Sequence, residues 1–231
     1  MKIYIAVVCL LVAGFITTEA DNPIDSLVKA ALEVVRKLLK KYEPYPVPDM
    51  PEQTVKGDDI DLKAKFSNVK LSKAGDFTID HIENNVLQMW AKFGVTVPTM
   101  HLEGDYTASG KVKGKSVTGN GSFKLDITNL VTTGYVEIGI VSYYVQMKTF
   151  NIDYTIQDLQ FSEEGLSVEG LTPEEIKALF SSSFLKYFQD NEKFVSGQVS
   201  DYVKQQANDI MKGKTLQQLL DWLKKFIDQL I

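Results

Sequence analysis

Leu87-Gln88-Met89-Trp90-Ala91-Lys92-Phe93-Gly94-Val95-Thr96-Val97-Pro98-Thr99-Met100-His101-Leu102-Glu103-Gly104-Asp105-Tyr106-Thr107-Ala108 decides the fold class of this 231-residue chain. Leu87, Met89, Ala91, Phe93, Val95 and Val97 occupy every second position. Beyond Pro98 the alternation resumes with Met100, Leu102, Gly104, Tyr106 and Ala108. Successive side chains of a strand point to opposite faces, so this period of two puts the apolar set on one face and Gln88, Lys92 and Thr96 on the other. One apolar and one polar face is the pattern of an antiparallel sheet that covers a core from one side. Trp90 falls on the polar side, where its indole is expected to cover a helix edge or stand at a tunnel mouth with its N–H exposed.

The same period extends in both directions. Upstream, Ile60, Leu62, Ala64 and Phe66 alternate with polar residues, and Phe77, Ile79 and His81 follow a turn at Lys73 to Asp76. Downstream, Val112 and Val117 lead through Thr118-Gly119-Asn120-Gly121 into Phe123, Leu125 and Ile127. Asn-Gly between alternating runs predicts a two-residue hairpin turn, since both residues tolerate positive φ. Tyr135 to Phe150, Ile152 to Leu159 and Leu166 to Val168 are further strand candidates, and glycines at 94, 104, 110, 114, 134 and 139 predict sharp bends.

Helices flank this region. Ile24, Leu27, Val28, Ala31, Val35, Leu38, Leu39 and Tyr42 share one face of an amphipathic helix, which Pro44, Pro46, Pro48 and Pro51 terminate, leaving Tyr45 to Pro51 as a connector. Thr172-Pro173-Glu174-Glu175 is a cap followed by an acidic first turn, opening a helix through Ile176, Phe180, Phe184 and Phe188. A break at Asp190 to Glu192 precedes a second helix that stops at Gly213, and Thr215 to Ile231 form a third with a broad apolar face. The expected fold is α+β: a strongly curved antiparallel β-sheet, about Ile60 to Val168, wrapped around long α-helices with an elongated apolar tunnel between them. The alternative is an open sheet with helices on one face and no enclosed cavity.

Residues 1–20, with Lys2 before the apolar run Ile3 to Ile16 and small residues up to Ala20, form a secretory signal, leaving residues 21–231 as one secreted, extracellular domain. The run is too short to span a bilayer as a helix. The only cysteine, Cys9, lies inside it, so the mature chain has no disulfide or thiolate chemistry. With 25 basic against 30 acidic residues of interspersed sign, the chain offers no nucleic-acid surface. Its densest basic cluster, from Lys29 to Lys41, reads as a solvated helix face in which Glu33 pairs with Arg36 or Lys37. Two histidines, His81 and His101, cannot make a metal or haem site, and neither a nucleophile elbow, a P-loop nor a dinucleotide fingerprint occurs. Neither an enzyme nor a cofactor is expected. Asn120-Gly121-Ser122 satisfies the glycosylation sequon, making Asn120 a candidate acceptor at an accessible turn.

What remains is apolar material arranged on strands and helices. A curved sheet wrapped on a long helix encloses an apolar space of the kind a ligand fills. The residues expected to face it are Leu87, Met89, Phe93, Val95, Val97, Met100, Leu102 and Tyr106. Met89 and Phe93 are the foremost of these, because Met adapts to irregular shapes and Phe has no polar group to satisfy.

Read together, Leu102-Glu103-Gly104-Asp105-Tyr106, Gly110-Lys111-Val112, Gly119-Asn120-Gly121 and Phe123-Lys124-Leu125-Asp126-Ile127-Thr128-Asn129-Leu130 resemble the central stretch of the insect juvenile-hormone-binding and takeout-like proteins. The N-terminal cysteine pair typical of takeout-like proteins is absent. The helix after the signal, Val47-Pro48-Asp49 and the long C-terminal helices also resemble the mite group 7 allergens. Both groups belong to the tubular lipid-binding superfamily. The resemblance implies a secreted, monomeric carrier of a hydrophobic small molecule or lipid, such as a juvenile-hormone-like terpenoid or a fatty acid. An alternative is an innate-defence protein that binds microbial or membrane lipids at its surface, touching membranes transiently through residues 215–231.

Overall fold

A computed structural model describes residues 32–33, 35–47, 51–57, 60–85, 87–219 and 221. The signal sequence, the first turns of the N-terminal helix, Pro48-Asp49 and nearly all of the final helix lie outside the described residues. Among the described residues eight strands form one open antiparallel sheet: β1 (Tyr45–Pro46), β2 (Gln53–Gly57), β3 (Ile60–Ser72), β4 (Thr78–Asn85), β5 (Trp90–Val112), β6 (Lys115–Val141), β7 (Tyr144–Glu163) and β8 (Leu166–Val168). Helix α1 is described between 32 and 41; α2 spans Pro173–Asp190, α3 Glu192–Met211, and α4 begins at 216. β5 and β6 form the spine. β3 and β4 share the outer side of β5, whereas β7 and β8 share the outer side of β6.

β5, β6 and β7 have 23, 27 and 20 residues, several times the usual five or six, and strands of that length accumulate twist and cannot stay flat. A crease crosses all three at one line. Inward-facing residues step by three there instead of two: Val97 to Met100 in β5, Ile127 to Leu130 in β6, Ile156 to Leu159 in β7. Pro98, which has no N–H to donate, lies opposite Asn129, held at φ 51, whose side-chain amide donates to Gln157 Oε1 at 3.0 Å. Because the slip is shared, the pairing register on either side is unchanged and both halves of the sheet keep their apolar side toward the helices.

The core accordingly has two clusters. One gathers Leu38, Phe93, Val136, Met147, Phe150 and Met211 under α1, α3 and α4; the other gathers Leu62, Val112, Phe123, Phe161, Ile176 and Phe180 under α2. Met100 and Leu130, beside the crease, pack against both. α2 starts as its sequence demands: the Thr172 hydroxyl accepts from Glu175 N–H, and the Glu175 carboxylate accepts from Thr172 N–H, which holds that carboxyl below its usual range.

Helices α2 and α3 also cover the open edge of β7. Backbone N–H groups of Met147, Ile152, Tyr154 and Phe161 donate to side chains of Asn208, Ser200, Glu192 and Ser181, at 2.8 to 3.2 Å. An edge that would otherwise template further pairing is thereby satisfied. α1 is pinned to the segment that leads into β4. Arg36 pairs with Glu33, donates to Phe77 O at 2.8 Å and lies 4.6 Å from the Phe77 ring centroid.

Several sequence expectations need correction. The hairpin turn is not at Asn120-Gly121 but at Lys113-Gly114, where φ is 47° and 76° and Val112 pairs with Lys115. Asn120 and Gly121 lie inside β6, opposite Thr107 and Tyr106. Gly121 serves close approach instead of a turn: a Cβ there would lie 1.8 Å from Glu164 O in the β7–β8 connection. The run expected to begin at Leu87 begins at Trp90, because residues 87–89 form the β4–β5 turn with Met89 at φ 56. The Pro-rich connector contributes β1, so the sheet starts before Ile60.

Candidate functional site

The second cluster is incompletely filled. Between the sheet and α2 lies a cavity of about 200 Å³, open on one side. Its floor comes from the strands: Val55 of β2, Phe66 and Val69 of β3, Leu102 of β5, Phe123 and Leu125 of β6, Phe161 of β7. Its roof is Phe184, Tyr187 and Phe188 of α2. A bulge in β3 between Ser67 and Lys70, with Asn68 at φ 53, inserts one extra residue, so that Phe66 and Val69 both face the cavity although three apart. The Asn68 amide donates to Asp105 Oδ2 at 2.7 Å and fixes the bulge to β5. Leu102, Leu125 and Phe161 are cross-strand neighbours in one row of the floor.

Aromatic contacts make the wall continuous. Phe66 meets Phe123 edge to face at 5.2 Å, Phe123 and Phe161 lie parallel at 6.4 Å, and Phe161 meets Phe184 edge to face at 5.1 Å. A smaller void of about 30 Å³, bordered by Leu62, Tyr106, Ala108, Leu166 and Phe180, adjoins it and shares Val55, Phe66, Phe161 and Phe184. The polar groups nearby point elsewhere. Tyr106 donates to Glu163 Oε2 at 2.9 Å, and burial first, then that carboxylate, pushes its phenol far up. Tyr154 donates to Phe188 O at 2.9 Å and is pushed up to about 12, by burial and then by Glu192 and Tyr187. The wall can exclude water and accept an apolar body; it has no group placed for acid, base or nucleophilic work.

Of the eight residues expected to face a ligand, Leu102 lines this cavity and Tyr106 its annex. Met89, Phe93, Val95 and Val97 pack into the first cluster, and Met100 packs against both clusters without lining the cavity. Phe93 lies over Gly134 so closely that a Cβ there would fall 2.2 Å from its ring. Leu87 is 96% exposed in the β4–β5 turn and faces no interior. Trp90 is half-buried beside Tyr135, its Nε1 donating to Gln88. Asn120 is exposed, but mid-strand and not at a hairpin tip. His101 is a hydrogen-bonded cross-strand partner of Asp126, at 2.7 Å, and no metal-holding cluster occurs among the described residues. The roof of the cavity went unassigned in the sequence reading, although Phe180, Phe184 and Phe188 at four-residue spacing mark one aromatic face of α2.

The family model described as haemolymph juvenile hormone binding protein (JHBP) matches residues 35–221. Among solved structures, that of Epiphyas postvittana Takeout 1 is similar at 19% identity and a TM-score of 0.48, over 80% of this chain and 87% of that one. A lipopolysaccharide binding protein is similar at 14% identity and a TM-score of 0.36, over 80% of this chain but 37% of that one. No curated protein matches in sequence.

Proposed function

We propose that this chain, which belongs to the haemolymph juvenile hormone binding protein family, carries a single hydrophobic molecule with its apolar body in the cavity beneath α2. Family membership makes it a non-catalytic protein that binds hydrophobic ligands. The observation that carries the finer reading is the wholly apolar wall of a cavity of about 200 Å³ that opens on one side. Burial at roughly 0.8 kcal/mol per methylene then supplies the affinity. A polar head finds no partner inside and stays at the mouth, which suits a terpenoid ester or a fatty acid better than a ligand polar along its length. The carrier acts outside the cell as a monomer, one domain of residues 21–231 released by cleavage after Ala20.

Native mass spectrometry of the secreted protein tests this directly. A co-purifying apolar mass, displaced by a terpenoid ester or fatty acid, is the expected result. A chain that emerges empty and binds no member of a panel of fatty acids, terpenoids and quinones would falsify the carrier reading. N-terminal sequencing of the same material checks the cleavage site.

A further inference from the structure

At the end of the sheet away from the cavity, two neighbouring turns carry no charge. Asn84–Ala91 and Ile138–Met147 contain no Asp, Glu, Lys or Arg, in a chain that is 24% charged. Ile138 N–H donates to Met89 O at 2.9 Å, which joins the β4–β5 turn to the β6–β7 hairpin. The hairpin continues past that contact for about three residues per strand, roughly 10 Å. Leu87 is 96% exposed and Tyr143 85%, and Ile140, Val141 and Tyr144 are each about half exposed.

Three features separate this tip from an ordinary surface hairpin. First, apolar residues occupy the exposed face as well as the covered one: Ile140 pairs with Val145, which is buried and donates its N–H to Lys214 O at 3.0 Å, and on the other side Val141 pairs with Tyr144. A hairpin that meets water on one face keeps that face polar. Second, the turn is Ser142-Tyr143 with φ 50° and 73°, a conformation that favours Asn-Gly; a bulky aromatic in the left-handed region serves no need of the turn itself. Third, the charges that flank the two turns within their strands stand one step back and are paired. Lys92 pairs with Glu83 at 3.3 Å, and Lys148 pairs with Glu137 at 3.6 Å.

We infer that the β6–β7 hairpin tip and the adjacent β4–β5 turn insert into the interface of a neutral phospholipid bilayer. Leucine, isoleucine and valine enter the acyl boundary, while Tyr143 and Tyr144 keep their hydroxyls at headgroup level. An exposed uncharged tip whose flanking strand charges are paired complements a zwitterionic surface, whereas an anionic one would call for unpaired lysines on those strands. A second copy of the chain is the poorer occupant, because a specific protein interface draws roughly 20–30 residues a side and the tip exposes far fewer. The inference is independent of the cavity, which lies some way along the strands.

Flotation of the full secreted chain with phosphatidylcholine vesicles tests it. The parent is expected to float, with about 0.5 M salt making little difference. The double variant Leu87→Ser/Tyr143→Asn should lose about tenfold or more of its partitioning without losing thermal stability, since Asn accepts the left-handed turn better than Tyr. A separate Tyr143→Trp variant should be quenched by brominated lipid. A parent that stays in solution, a double variant that floats like the parent, or an unquenched Trp at 143 on floating protein would each overturn the inference. So would a dimer, seen by sedimentation, that the double variant dissolves.

Discussion

Leu102→Trp should make the free protein more stable and close it to its ligand. Leu102 stands in the cavity floor, with Leu125 beside it, Phe161 one strand further along the row and the α2 aromatics above. An unfilled core volume costs about 24 cal/mol per Å³. A cavity of about 200 Å³ therefore corresponds to ~5 kcal/mol that a ligand or a larger side chain can recover. Indole in place of isobutyl fills about a quarter of the space, and one side is open to water, so about 1 kcal/mol is the expected gain. For a protein of this size that raises the melting temperature by about 2–4 °C. Differential scanning calorimetry of delipidated protein reads the first quantity, and titration with a fluorescent fatty acid reads the second, where a loss of about tenfold or more is expected. The opposite pair of results, a melting point lowered by several degrees with unchanged fatty-acid binding, would mean that the space beneath α2 is already filled and that ligand goes elsewhere.

Three further expectations follow from single side chains. Ser183 is buried in α2 with its hydroxyl unpaired, so Ser183→Ala should stabilise by about 1 kcal/mol in chemical denaturation; a loss of stability would reveal a hidden partner. Gly121→Ala would place a Cβ 1.8 Å from Glu164 O, and should cost at least about 2 kcal/mol by forcing the β7–β8 connection off β6; an unchanged urea midpoint would contradict the close approach. Tyr154 has a folded-state pKa pushed up to about 12 from 10.0, so its contribution is complete below pH 10 and lost as pH rises toward 12. Alkaline unfolding of Tyr154→Phe should then be shallower across that window than that of the parent, and identical curves would place the alkaline loss at other groups.

The capped start of α2, the break before α3 and the limits of β8 could be read from the sequence because each depends on neighbours a few residues away: a hydroxyl beside a free N–H, a helix stop, an alternation over three residues. The resumption of alternation after Pro98 was equally visible, and it marks the crease. Which of two glycine-bearing segments turns the β5–β6 hairpin was not visible. Asn120-Gly121 is the stronger local turn signal than Lys113-Gly114, but Gly121 is required by a carbonyl more than forty residues away.

The candidate site divides in the same way. Alternation assigned Leu87, Met89, Phe93, Val95, Val97, Met100, Leu102 and Tyr106 to one side of the sheet; the face of a strand residue follows from its parity, so the assignment holds from Phe93 onward within β5 and fails at Leu87, which lies in the turn before the strand. Which of them meets a cavity depends on how completely the opposite layer fills the space above it. Over Phe93 and Val97 the layer is α1 and α3 and the space is filled; over Leu102 it is the aromatic face of α2, whose rings span the gap without closing it. Parity is a property of the chain, and packing is a property of pairs of surfaces that meet only after folding.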